Sequence, residues 1–216
     1  MNDFEKQWLY KLKISLKNIG KSSLFENFSL SHQETINWSN LLMETLNQEL
    51  TEEKVISVMC GCACLAPKDY LKILRDEYAK TKDLKYVHQL LQQYFEKSIT
   101  KYKNLNEDQL KYIIEHEMGM AGKLDGNTIT AVKIPKDFHE YFQAEDPAKK
   151  RYLYCHCPRI REALKTDKKP LDKNYCYCGA GFYKDIWEFI LQREVKVKLV
   201  ESLIQGNEFC KIAISI

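Results

Sequence analysis

A chain of 216 residues, 44% apolar and 29% charged, is long enough to bury a sizeable core and has the composition of an ordinary water-soluble protein. No stretch approaches the roughly twenty uninterrupted apolar residues of a membrane span. The net charge of +3 is spread among interspersed Lys and Asp/Glu, so there is no basic stripe for a nucleic-acid backbone. No membrane and no nucleic-acid partner is expected, and an N-terminus of mixed charge without an apolar signal segment points to the cytoplasm.

Phe4, Trp8, Leu12 and Leu16 stand four apart, which predicts an amphipathic helix over 4–18 that ends near Gly20. Its apolar stripe suits packing on the rest of the chain or on a second copy, so a homodimer stays open. Ser31 and Glu34 have capping-box spacing and predict a helix over 32–49. Thr51 reads as the cap of a short helix that runs into Cys60-Gly61-Cys62-Ala63-Cys64, with Gly61 ending the regular structure. Pro67 suits the first turn of the next helix. A longer helix follows over 83–104, and Asn106 with Gln109 repeats the capping-box logic.

The pattern then changes. Gly119, Gly122 and the Asp125-Gly126 turn precede an alternating run, Thr128–Ile134, closed by Pro135. A polar stretch at 139–150 reads as loop, and Arg151–Cys157 as the next strand. Pro158 starts a short helix, and a polar loop over 165–174 leads to Cys176-Tyr177-Cys178, also read as extended. Residues 179–192 form a helix with Phe182, Ile186, Phe189 and Ile190 on one face. The end is a hairpin: Val195, Val197 and Leu199 alternate before the turn at 205–207, and Cys210, Ile212, Ile214 and Ile216 after it. Helices first and an antiparallel sheet later define an α+β protein: a helical region over 1–118 and a sheet region over 119–216, read as one integrated domain.

Seven of the eight cysteines fall in alternate-residue clusters. In a reducing compartment, with a full core, metal ligation or thiol chemistry explains them better than disulfides. On a strand, residues i and i+2 share a face, so Cys155 with Cys157 and Cys176 with Cys178 can offer four sulfurs. Thiolates select zinc, Cu(I) or iron–sulfur clusters, and four-sulfur zinc is the common closed site. Zinc on these four cysteines is the first expectation, an iron–sulfur cluster the alternative. Cys60, Cys62, Cys64 and Cys210 are the second choice of ligands. The same pattern also fits reduced structural thiols or a catalytic cysteine. His156 would face away from its two neighbours on a strand, and His88, His116 and His139 read as ordinary residues. Gly179-Ala180-Gly181 suits either an anion at a helix start or close helix packing.

Cys178-Gly179-Ala180-Gly181-Phe182, a helix carrying Trp187, and a hairpin ending Gly206-Asn207-Glu208-Phe209-Cys210 resemble the 4-vinyl-reductase-type domain. The wider pattern resembles a group of uncharacterised bacterial cysteine-rich proteins related to it. The resemblance implies binding of a small hydrophobic molecule and a zinc ion held by cysteines. Cys178 (or Cys176) and Cys210 match family cysteines, whereas Ser202 stands where the family has another. The expected function is therefore small-molecule binding with a cysteine-ligated metal. Phe182, Tyr183 and Trp187 are the candidate contacts for an apolar ligand between the last helix and the sheet. The alternative is a metal- or cysteine-dependent enzyme, hydrolase or redox.

Overall fold

A computed structural model describes residues 3–28, 35–103, 105–165 and 171–216. The protein is α+β. Its first half contains helices α1 (Asp3–Asn18), α2 (Thr35–Glu49), α3 (Glu52–Gly61), α4 (Lys68–Thr81), α5 (Leu84–Lys103) and α6 (Glu107–Glu115). The α1 stripe is buried as its spacing predicts, with Trp8, Leu12 and Leu16 in the core. At α6 the capping box is complete: Asn106 accepts from the Gln109 amide, and the Gln109 side chain accepts from the Asn106 amide. The proposed capping pair Ser31 and Glu34 lies outside the described residues.

Strands β1 (Lys123–Asp125) and β2 (Thr128–Val132) form a hairpin across Gly126, whose φ of +56° suits a residue without Cβ. After helices α7 (Phe138–Gln143), α8 (Pro147–Tyr154), α9 (Pro158–Leu164) and α10 (Tyr177–Leu191), the chain closes with β3 (Lys196–Glu201) and β4 (Lys211–Ser215). The four strands pair antiparallel in the order β1-β2-β4-β3. The register places Ile129 and Val197 opposite Ile214, and Ala131 and Leu199 opposite Ile212. These residues line up on one face, and Ile129, Ala131, Ile212 and Ile214 are buried there. Each large aliphatic side chain so buried contributes on the order of 1.5–3 kcal/mol.

Two expected strands are helical instead. Residues 147–154 form α8 because Asp146 accepts from the Lys149 amide as N-cap and Pro147 occupies the first turn. These start signals override the β preference of Tyr152 and Tyr154. The expected loop before it contains α7. The second cysteine pair lies not on a strand but where a 3-10 turn (Lys173–Cys176) runs into α10.

Helix α10 organises the packing. It touches α3 and α4 on one side, β3 and β4 on the other. Its contact with α3 requires Gly181: a Cβ there would strike the Cys60 carbonyl and lie 2.8 Å from the Ala63 Cβ. Trp187 is fully buried and stacked on His88, with ring centroids 6.1 Å apart. Among the described residues, no helix is long and apolar enough to cross a membrane.

Candidate functional site: a thiol-lined cavity

Tyr154, the last residue of α8, fixes three elements at one point. Its hydroxyl donates to the Lys133 carbonyl at 2.6 Å and accepts from the Cys210 amide at 3.1 Å. The Lys133 amide in turn donates to the Cys210 carbonyl at 3.0 Å, extending the β2–β4 pairing past the last ladder residue. The chain then leaves Tyr154 extended through Cys155 (φ −72°, ψ 131°) and Cys157 (φ −82°, ψ 118°) before α9 begins. The alternate-residue geometry expected of a strand is therefore kept in a linker outside the sheet. His156 is anchored between the two, its Nε2 2.8 Å from the Ile134 carbonyl.

These segments, the first turn of α10 and the inner face of the sheet enclose a cavity of about 390 Å³. Six cysteines line it: Cys155, Cys157, Cys176, Cys178, Cys210 and Cys64. All eight thiols of the chain are free. The four cysteines expected as ligands thus meet on one cavity, and Cys64 and Cys210 of the second-choice set join them. Cys60 and Cys62 do not line it. Both are buried in the core, Cys62 donating back to the Val58 carbonyl at 3.3 Å. Phe182 and Tyr183 line the cavity, while Trp187 does not, because one more turn of α10 carries it toward α5.

Much of the rest of the wall is apolar: Phe4 from α1, Phe95 from α5, Met120, Ile160, Leu199 and Ile212. The Phe95 ring also lies against Gly119, whose φ of +129° and lack of Cβ make room for it. On its other side Phe95 borders a second cavity of about 440 Å³, between α5, α6 and the β1–β2 hairpin. That one is bordered by Lys85, Gln89, Gln92 and Glu96 and contains no cysteine.

Four of the cavity thiols are shifted toward the neutral form. Burial pushes Cys155 up to about 12, with Cys157 and Cys210 adding to the shift and Lys133 opposing it. Burial likewise raises Cys178 to about 12, helped by Cys157 and countered by the Trp8 indole, which donates to its sulfur at 3.4 Å. Cys178 donates onward to the Cys62 carbonyl at 3.4 Å, so it ties α1, α3 and α10 together. Burial also raises Cys176 and Cys210. A neutral thiol is a soft, weakly polar wall and a poor nucleophile. Among the described residues, no group of three or more His, Cys, Asp or Glu side chains is placed to hold a metal ion.

One further feature of the site had no signal in the sequence. Among the described residues that line the cavity, Lys133 is the only Lys, Arg, Asp or Glu. Only the β2–β4 pairing brings it beside α10, where a Cβ at Gly179 would lie 3.2 Å from its Nζ. The two glycines of Gly179-Ala180-Gly181 therefore differ in role: Gly181 allows the α3 contact, and Gly179 leaves space for the Lys133 ammonium.

Compared with known proteins, residues 140–216 match the model of a family of unknown function, DUF6144. The chain is similar to that family over a segment that holds five of the six cavity cysteines. No curated protein and no solved structure matches the chain.

Proposed function

We propose that the protein binds a small, mainly apolar molecule in the thiol-lined cavity. The observation that carries this reading is the cavity itself: about 390 Å³, walled mainly by aromatic, aliphatic and thiol groups, with Lys133 the one Lys, Arg, Asp or Glu among the described residues that line it. That size and lining are typical of small-molecule sites. The likeness of the α10–hairpin segment to the 4-vinyl-reductase-type domain supports the same reading. Decanol is a suitable probe, being apolar, uncharged and small enough to enter. Calorimetry should give saturable binding with a negative heat-capacity change. Leu199→Trp, which pushes bulk into the cavity from β3, should abolish it while leaving the thermal midpoint nearly unchanged. Decanol binding of equal strength in Leu199→Trp would place any apolar site elsewhere.

A second reading is supported by the convergence of five thiols from three separate segments: Cys155 with Cys157, Cys176 with Cys178, and Cys210. Such sulfur donors suit a soft or borderline ion, zinc before an iron–sulfur cluster. As placed, they do not form a ligand group, so capture of an ion requires them to draw together and release protons. Cadmium(II) titrated into reduced protein should then produce a saturable sulfur-to-metal absorption band with proton release, reversed by excess zinc. The band should be lost when Cys157 and Cys178 are both changed to Ser. Full-length protein that gives no band rejects this reading and leaves decanol binding untouched.

A further inference from the structure

We infer that the molecule taken by the cavity carries a single carboxylate, held by the ammonium of Lys133 while its apolar body fills the space toward Phe95, Phe182 and Ile212. The inference rests on the small-molecule reading above and names the ligand's head group.

Three observations carry it. First, the backbone of Lys133 is fixed on both sides, its amide bonded to the Cys210 carbonyl and its carbonyl to the Tyr154 hydroxyl. Its position therefore belongs to the sheet framework and not to a loose loop. Second, the side chain runs into the cavity, and among the described residues its Nζ makes no hydrogen bond or ion pair. Other lysines near α10 are neutralised: Lys68 pairs with Asp185, and Lys184 with Glu188 at 2.6 Å. A partly buried ammonium beside apolar walls gains from an anion far more than one in open water does.

Third, no Asp or Glu is among the described residues that line the cavity, and Glu201, which acts on the adjacent Cys210, is itself paired with Lys211 at 2.7 Å. The first turn of α10, beside the ammonium at Gly179, adds the positive end of a fifteen-residue helix dipole. One ammonium balances one negative charge. A dianionic phosphate would leave an uncompensated charge against apolar walls, which disfavours it. A carboxylate accepts a charge-assisted hydrogen bond from Nζ.

The test compares ligands that share one body and differ only at the head. Decanoate should bind the full-length protein at least about tenfold more tightly than decanol, the gain expected of a charge-assisted hydrogen bond. Lys133→Met keeps the stem and removes the charge. It should cost decanoate about tenfold in affinity and leave decanol binding unchanged, while Lys133→Arg should keep the preference. Equal binding of decanoate and decanol, or a preference that survives in Lys133→Met, would overturn the carboxylate inference with the apolar cavity intact. If neither ligand binds, the small-molecule reading fails as well. Titration followed by the tyrosine and tryptophan signal of each variant checks that the fold is kept.

Discussion

Raising the pH should destabilise this protein from the point where the thiols of the unfolded chain begin to titrate. Between pH 7 and about 8.5 the urea midpoint is expected to stay flat; from pH 9 upward it should fall steeply, with the native signal lost near pH 11. Cys60 and Cys155 are buried thiols raised from 9.0 to about 12, in both cases mainly by burial. The folded form thus holds protons that the unfolded chain releases from pH 9. A group whose folded pKa is raised gives its full stability below the unfolded value, and that stability is lost as pH climbs toward the folded value. Each such thiol costs about 1.4 kcal/mol per pH unit across this window, or roughly 2–3 kcal/mol by pH 11. Cys62, Cys176 and Cys210 shift in the same direction, as do Tyr154, Tyr175 and Tyr183. Against a typical net stability of about 5–15 kcal/mol, the sum is decisive. The check is a series of urea denaturations by circular dichroism in reductant. Cys155→Ala should lower the alkaline slope by about 1.4 kcal/mol per pH unit. A midpoint that is constant to pH 11 would refute the assignment of these thiols as buried and neutral.

The same burial explains what could and could not be read from the residues. Local signals were legible wherever local chemistry decides the structure. Asn106 and Gln109 cap α6 as their spacing demands, and the alternation of Ile212 and Ile214 sets the inner face of β4. Gly61 ends α3, as expected of a glycine that follows a helical run. At 151–154, expected as strand, the β preference of Tyr152 and Tyr154 yields to the helix start signal just upstream, Asp146-Pro147. Once a cap and a proline fix the first turn, a half-buried aromatic can pack from a helix as well as from a strand. The cysteine pairs were legible as a cluster because their alternate-residue spacing is local in the sequence. Their common cavity was legible only in part. Cys155 and Cys157 point together because the linker is extended, whereas Cys176 and Cys178 reach the same space from a 3-10 turn and a helix. Cys210, Lys133 and Phe95 arrive through strand pairing and helix packing over separations of dozens of residues. No periodicity within one segment encodes such a meeting. Trp187 shows the converse: a residue on the expected helix, but one turn beyond the cavity and engaged with His88.

Gly181→Ala should destabilise the protein by about 2 kcal/mol and Gly181→Val by more, although both replace a glycine in the interior of a helix. Helix propensity alone predicts the opposite sign, since Ala in place of Gly gains roughly 1 kcal/mol. Packing wins here because the added Cβ does not meet a flexible side-chain tip. It meets the Cys60 carbonyl of α3, and the Ala63 Cβ at 2.8 Å, so α10 must move as a unit. Overpacking of a rigid contact costs typically 1–3 kcal/mol before any gain is counted. The displacement would travel to the site, because Cys176, Cys178, Gly179, Phe182 and Tyr183 all sit on or just before the same helix and line the cavity. Loss of stability in urea should therefore be accompanied by weaker decanol binding at temperatures where the variant is still folded. Gly126 supplies the control. Its φ is positive but no atom lies within 4 Å of a Cβ there, so Gly126→Ala should cost about 1 kcal/mol of backbone strain and leave the cavity unaffected. If Gly181→Ala is as stable as the parent, α10 does not press against α3 as described, and the cavity that depends on that contact loses its frame.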